Sequence, residues 1–309
     1  MLISVVIPSY NRATTVGQTI DSILSQQVDA DIEIIIGDDC STDNAREILL
    51  DFKERYPHII TLIFHEKNIG LGANWAICVK ACKGKYICNC DNDDYWHNPA
   101  KLQLQLDYME SHPESNVLIT DHRTHNRNTG EIKEQKAYID RSLPLQQAFF
   151  QGKERFCNAT IMYRADFMKG HLPLDDFIKY QFSLQDWTAW IILSAYTDFD
   201  ILEVSTATFG IETSSITRPD SLEKIQKRMD KEIECYKYCC SLFPEELTFD
   251  ENGWYSYVDH LLLSLSYKLK DYYHAHYYAE KLFGRSSNKK VFFAKNRFLF
   301  YTYCLLKSL

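Results

Sequence analysis

The chain has 309 residues, 45% hydrophobic and 25% charged, enough to bury one large α/β core and a smaller appendage. Its formal net charge of -8 excludes nucleic acid as the main partner, because phosphate backbones demand concentrated Lys and Arg, and no apolar run is long enough to cross a bilayer. The chain starts on a strand pattern rather than a secretory leader, so a cytoplasmic protein is expected.

Leu2 to Ile7 is a short run rich in β-branched residues, stopped by Pro8-Ser9-Tyr10-Asn11, as in a buried parallel strand. Thr14 or Thr15 is placed to cap a helix whose apolar positions Val16, Ile20, Ile23 and Leu24 share one face. Ile32 to Ile36 predicts a second strand, ending at Gly37-Asp38-Asp39-Cys40-Ser41-Thr42-Asp43. A helix with Ala45, Ile48, Leu49 and Phe52 inward follows, then a strand over Ile59 to Phe64 and a helix over about Ala73 to Ala81. Lys85 to Asn89 is a fourth strand, and it delivers the acidic stretch Asp91-Asn92-Asp93-Asp94-Tyr95-Trp96. Strands alternating with helices predict a mostly parallel, doubly wound sheet, whose ligands bind at the carboxyl ends of the strands.

Three carboxylates in four residues repel one another unless a cation lies between them. Hard oxygen ligands that leave positions free for substrate phosphates suit Mg²⁺ or Mn²⁺; the alternative is a solvated acidic turn. Pro8 and Tyr10 are placed to wall a flat nucleobase pocket, and Asp39 to accept from a ring N–H such as that of uracil, although Asp39 reads equally as a turn or capping residue. Gly70 and Gly72 lack the third glycine of the dinucleotide fingerprint, where Trp75 stands, which disfavours a dehydrogenase. Cys78, Cys82, Cys88 and Cys90 lack paired zinc spacing and are expected to be buried, reduced thiols.

Asn98 and Pro99 open a helix with Leu102, Leu106 and Met109 inward, and Asn116 to Thr120 predicts a strand. Residues 121–137 read as a hairpin or a mobile loop, Phe156 to Tyr163 as a strand, and 171–185 as loop. Asp186 stands at the entrance of the apolar helix that begins Asp186-Trp187-Thr188. There it is either a capping carboxylate or a general base, and position alone does not separate the two.

Together these blocks resemble the family 2 glycosyltransferases with the GT-A fold, over roughly residues 1–215. Ser4 to Asn11 looks like that family's opening strand, and Asp38-Asp39-Cys40-Ser41-Thr42-Asp43 is similar to its DDxSxD loop. Asn68-Ile69-Gly70 with Asn74-Trp75 resembles its third block. Asp91-Asn92-Asp93-Asp94-Tyr95-Trp96 with Pro99 and Lys101-Leu102 matches its metal motif, and Gln185-Asp186-Trp187 lies where the family carries a Glu-Asp pair. The resemblance implies a nucleotide-binding half over 1–97, an acceptor half over 98–215, and inverting transfer from a UDP-sugar to a glycan or lipid-linked glycan, as in bacterial surface-polysaccharide assembly. By that likeness Pro8, Tyr10, Asp39, Asn68, Asn74, Asp91 and Asp93 bind the donor. Asp93 and Asp94 form the metal side of the site, and Asp186 is the base. The resemblance departs at Gln185, which replaces an acid, and at Gly210 and Glu212, where relatives carry a basic residue and a His.

From residue 216 the pattern becomes helical, with two long helices expected over Leu222 to Phe243 and Trp254 to Phe283. Gly284 to Leu309 carries Arg285, Lys289, Lys290, Lys295, Arg297 and Lys307 and no acid, interleaved with aromatics. That composition suits either the headgroup layer of an anionic membrane or a helix packed by its aromatic face. Two other functions compete. A nucleotidyltransferase would need a glycine- and basic-rich loop after the first strand, unlike Pro8-Ser9-Tyr10-Asn11-Arg12, and a silent sugar-binding protein is hinted at only by Gln185 and Gly210.

Overall fold

The computed structural model describes residues 1–211, 221–284 and 286–306, excluding the side chains of 305 and 306; Glu212, Arg285 and Lys307 lie outside the described residues. The chain forms two compact units, Met1–Glu212 and Thr213–Leu309.

The strands of the first unit are β1 (Leu2–Ser9), β2 (Asp31–Asp38), β3 (Ile60–Phe64), β4 (Tyr86–Asn89), β5 (Tyr95–Trp96), β6 (Val117–Asn126), β7 (Glu131–Gln135), β8 (Tyr138–Ile139), β9 (Glu154–Arg155), β10 (Met162–Arg164) and β11 (Asp200–Ile211). Its helices are α1 (Val16–Leu24), α2 (Ala45–Arg55), α3 (Leu71–Ala81), α4 (Lys101–Ser111), α5 (Leu145–Phe150), α6 (Ala165–His171), α7 (Leu174–Tyr180) and α8 (Gln185–Leu193). Nine strands join in one sheet of order β3-β2-β1-β4-β10-β6-β11-β5, with β7 paired to β6. β1, β2, β3, β4, β6 and β11 run the same way; β5, β7 and β10 oppose them. The sheet is therefore mostly parallel, and its parallel centre explains the sequence: β1 and β4 are covered on both faces and read as continuous apolar runs. Edge strand β3 is only partly covered, with Ile60 alone fully buried.

Several expectations are corrected. Residues 171–185 are not all loop, because α7 forms within them. Pro173 precedes it, Asp175 and Asp176 fill its first turn, and Phe177 packs on Trp75 at 5.4 Å. Phe156 to Tyr163 is not one strand: the chain turns through a 3₁₀ helix at Asn158–Thr160, where the Asn158 amide is drawn into a polar network, before resuming as β10. Of the two readings of 121–137, the hairpin is the observed one, β6 to β7, with Gly130 at φ 73. Thr15 precedes α1 but makes no capping bond; its hydroxyl donates instead to the Asn92 carbonyl at 2.8 Å.

The second unit is helical: α9 (Leu222–Leu242), α10 (Glu251–Lys268), α11 (Tyr272–Leu282), α12 (Lys289–Phe293) and α13 (Arg297–Leu306). The single helix expected over Trp254 to Phe283 is broken, because Lys270 takes φ 57 and Asp271 caps α11 by accepting from the His274 N–H. Its core is Leu262, Leu263, Ala279, Phe300 and their neighbours.

Candidate active site

Three loops at the carboxyl ends of parallel strands are stitched to one another by short polar bonds. After β1, the Asn11 N–H donates to Ser41 Oγ at 2.9 Å, and Asn11 Oδ1 accepts from the Thr42 N–H at 2.8 Å. Asp43 in turn accepts from the Ala13 N–H at 2.9 Å. The loop after β2 is thus locked onto the loop after β1. Asp39 is only 2% exposed, and its two oxygens accept from the Ile69 and Gly70 N–H groups at 2.7 and 2.9 Å. Asn68 donates to the Asp39 carbonyl at 3.4 Å. Asp39 thus ties its loop to the segment that leads into α3 rather than closing a local turn, and each oxygen keeps a further lone pair for a ligand. Pro8 is buried at the end of β1, whereas Tyr10 stands 43% exposed beside it.

Asn74 sits deeper than a wall position. It is 1% exposed, donates to the Gly37 carbonyl at 2.7 Å and meets His65 Nε2 at 2.9 Å, so it braces β2 beneath the crevice.

The acidic loop after β4 is held from below and from both sides. Thr15 and Thr19 donate to the carbonyls of Asn92 and Asp94, and the Asn92 amide donates to Ser9 Oγ at 3.1 Å. Asp91 accepts from Asn158 Nδ2 at 3.4 Å, and Asn158 is itself held by Asn89 and, through it, by the Trp75 indole. Asp93 is partly exposed and pairs with Arg12 Nε at 3.3 Å. Asp94 is buried; its Oδ1 accepts from the Gly210 N–H at 2.9 Å, and its Oδ2 has no hydrogen-bond partner. Arg127, at the tip of the β6–β7 hairpin, donates to the Asp93 carbonyl at 2.8 Å and to Gln18 Oε1 at 2.9 Å.

Asp186 is the second residue of α8, not its N-cap, and its Oδ1 accepts from the adjacent Trp187 N–H. The helix is apolar on nearly every side and is buried accordingly, with the Trp187 and Trp190 indoles donating to the Phe149 carbonyl and the Tyr163 hydroxyl. Burial raises the Asp186 carboxyl above the usual range. Burial, then the charges of Asp186 and Asp93, push Asp91 up to about 7. Asp186 on α8 and Asp93 in the loop after β4 thus both bear on Asp91.

Glu154 joins them. In the flanking sequence Phe150 stacks on Trp187 and Phe156 packs tilted against Trp190; the Glu154 Oε2 is enclosed without a hydrogen-bond partner, and burial with the nearby Asp186 charge raises the carboxyl to about 7.

A divalent cation fits this loop in one way. Among the described residues no group of three or more His, Cys, Asp or Glu side chains forms a protein cage. Asp93, however, is the accessible carboxylate, and Asp94 adds an unpartnered oxygen behind it. Mg²⁺ and Mn²⁺ sites that borrow oxygens from substrate phosphates and water need no more than one or two carboxylates.

The sequence pattern of Glycosyl transferase family 2 matches residues 4–171, more than half of the chain. The chain belongs to that family. Among curated relatives, the putative teichuronic acid biosynthesis glycosyltransferase TuaG of Bacillus subtilis is 36% identical over 108 residues, 35% of this chain and 42% of that protein. The putative glycosyltransferase EpsE of Bacillus subtilis is 32% identical over 163 residues, 53% of this chain and 56% of that protein. The first relatives matched are uncharacterized mycobacterial proteins, and the chain covers 34% of their length. The fold is that of S. aureus TarS 1–349, solved with UDP-GlcNAc, at TM-score 0.52 and 17% identity over 100% of this chain and 91% of that one. The mannosyltransferase PcManGT of Pyrobaculum calidifontis, solved with GDP-Man and Mn²⁺, gives TM-score 0.53 at 13% identity over 99% and 84%. The architecture is therefore GT-A.

Within this family 2 chain, the basic residues that sequence reading did not place are Arg12 and Arg127, which flank the acidic loop. Arg12 directly follows the opening-strand block, but nothing in Asn126-Arg127-Asn128-Thr129-Gly130 announces where that turn points. Glu154 and Asn158 were likewise invisible, as isolated polar residues. Gly210 has a steric reason: a Cβ there would run into the Asp93 carbonyl oxygen.

Proposed function

We propose that this chain transfers a sugar from a UDP-linked donor, with inversion, to a hydroxyl of a glycan or lipid-linked glycan in bacterial surface-polysaccharide synthesis, at the cytoplasmic face of the membrane. The observation that carries the reading is the loop after β4, where the partly exposed Asp93 pairs with Arg12 at 3.3 Å and the buried Asp94 keeps one oxygen without a hydrogen-bond partner. Relatives such as TuaG and the poly(ribitol-phosphate) beta-glucosyltransferase of Bacillus spizizenii support the acceptor class, and the nucleotide-sugars held by the structural neighbours support the donor class.

In this reading Pro8 and Tyr10 wall the base, Asp39 takes its ring N–H, and Asn68 holds the Asp39 loop in place. Asp91 faces the donor sugar. Asp93, with Asp94 beside it in sequence, would hold Mn²⁺ or Mg²⁺, which when bound would supply Lewis-acid neutralisation of the charge that develops on the departing diphosphate. The acceptor oxygen bonds to the anomeric carbon as the bond from that carbon to the diphosphate breaks, and the acceptor proton passes to Asp186. A single displacement needs only this one base. Glu154, whose carboxyl burial raises to about 7, orients the acceptor in place of the acid that Gln185 removes.

Exposed Phe283, Phe292 and Phe298, set among Lys289, Lys295 and Arg297, support a peripheral contact of the tail with anionic lipid. A panel of UDP- and GDP-sugars with Mn²⁺ tests the central reading. UDP release, lowered about 10²–10⁴-fold in Asp186→Asn, is expected; release of pyrophosphate, or no release from any UDP-sugar, overturns it.

A further inference from the structure

Three buried polar side chains lead through the first unit to the acidic loop. The Trp75 indole N–H donates to Asn89 Oδ1 at 3.1 Å, and the Asn89 amide donates to Asn158 Oδ1 at 2.9 Å. The Asn158 amide then donates to the Asp91 carboxyl, 3.4 Å from one oxygen and 3.5 Å from the other. Trp75 and Asn89 are each 1% exposed and Asn158 is 4% exposed, so the chain is closed to solvent up to its last member.

Its direction is set at the far end. An indole N–H can only donate, so Asn89 meets Trp75 with its oxygen and turns its NH₂ to Asn158; Asn158 takes that bond on its own oxygen and presents NH₂ to Asp91. With the two amides reversed, the buried indole would lose its acceptor and Asn158 would set an oxygen against the Asp91 carboxyl, both of them costly.

The backbone that carries Asn158 is fixed as well. The 3₁₀ turn Asn158–Thr160, which interrupts the strand pattern, is clamped from two other elements: the Trp96 indole donates to the Ala159 carbonyl at 3.0 Å, and the Gln105 amide to the Thr160 carbonyl at 2.8 Å. The Thr160 hydroxyl closes the turn onto the Cys157 carbonyl at 2.7 Å. Other buried amides of this unit, Asn74 and Gln105, donate to backbone carbonyls, as bracing requires. The Trp75 chain instead delivers its last donor to a carboxyl at the rim of the sheet, and among the described residues Asn158 is the only side chain hydrogen-bonded to that carboxyl.

We propose that Asn158 is a positioning residue for the donor sugar: it holds the Asp91 carboxyl in the orientation that accepts a sugar hydroxyl, and Asn89 and Trp75 fix which way its amide faces. The inference rests on the reading of Asp91 as the group that faces the sugar. A carboxyl engaged by one amide keeps further lone pairs, so Asp91 can be held and still accept from a ligand. A side chain already locked in its binding geometry loses less freedom when the ligand arrives. Because Asn158 acts through Asp91, its loss weakens recognition of the sugar and spares recognition of the nucleotide.

The full chain, Asn158→Ala, Asp91→Asn and the double variant are titrated calorimetrically with Mn²⁺ present, against UDP and against the UDP-sugar turned over fastest in the donor panel. In Asn158→Ala the affinity for UDP is expected to stay within about twofold of the parent, while that for the UDP-sugar falls about fivefold or more, the worth of one hydrogen bond. Asp91→Asn should show the larger fall. Adding Asn158→Ala to it should change the UDP-sugar affinity by less than about twofold, because nothing is left to position. Equal losses for UDP and UDP-sugar, an unchanged UDP-sugar affinity, or additive losses in the double variant overturn the proposal. Asn158→Asp keeps the volume and the acceptor for Asn89 while removing the donor to Asp91, and carries the same comparison if thermal melts show that Asn158→Ala does not fold. A parent chain that releases UDP from no UDP-sugar overturns the transferase reading and this inference with it; a parent that does release UDP, with any of the outcomes named before, overturns this inference alone.

Discussion

The Gly210 N–H donates to Asp94 Oδ1 at 2.9 Å, so β11 and the acidic loop are bound edge to edge at the one residue that has no side chain to hold them apart. A side chain at 210 must displace the Asp93 carbonyl, and with it the Arg127 bond to the same atom. Gly210→Val should destabilise the first unit by about 1–3 kcal/mol, the usual cost of overpacking. UDP affinity in the presence of Mn²⁺ should fall more steeply than that loss. Thermal melts with and without ligand measure both; unchanged ligand stabilisation would show that the loop tolerates the intrusion.

Asp186→Asn preserves shape and the bond from the Trp187 N–H while removing the proton acceptor. Turnover should fall about 10²–10⁴-fold, with UDP binding within twofold of the parent. Steady-state rates and calorimetry check the two halves separately.

Mn²⁺ should raise the thermal stability conferred by UDP in the parent chain and not in Asp93→Asn. A ligand at about a hundred times its dissociation constant contributes about 2.7 kcal/mol, so the missing increment is readily measured. Retention of the Mn²⁺ effect in that variant would remove Asp93 as a ligand.

In the folded protein burial pushes the Asp91 and Glu154 carboxyls up to about 7, well above the ordinary 3.8 and 4.5. Between about pH 4 and 7 the folded protein therefore holds more protons than the unfolded chain, and stability falls as pH rises through that window, levelling above it. The melting temperature of the metal-free protein should decline from pH 5 to 7.5, with a shallower slope in Asp91→Asn and in Glu154→Gln. If Glu154 orients the acceptor as an acid, Glu154→Gln, which still donates, should keep more transfer activity than Glu154→Ala and lose the decline in rate above neutrality.

Lys101 is fully buried, with its ammonium beside Gln105 and 4.4 Å from the Trp96 ring centre, and burial lowers its pKa. Lys101→Met should melt near the parent, because an unbranched apolar side chain replaces an expensive charge at similar volume. Lys101→Ala should cost about 2–5 kcal/mol through the cavity it leaves. Urea titrations at neutral pH distinguish these outcomes.

Local chemistry made much of this protein legible from its residues. Apolar runs such as Ile34-Ile35-Ile36 can only be buried strands, the turn residues after them mark the carboxyl rim, and Asp91, Asp93 and Asp94 sit where a strand must end. What the order of residues left undecided was everything set by contacts between distant segments. Whether Asp186 capped its helix or faced the acidic loop depended on how α8 is buried, and 121–137 resolved into a hairpin only through pairing with β6. Arg127 over the acidic loop and Glu154 beside Asp186 are likewise products of tertiary packing. A side chain's neighbours across the fold, and the charge it bears among them, are set by the burial and pairing of whole elements, which local periodicity does not encode.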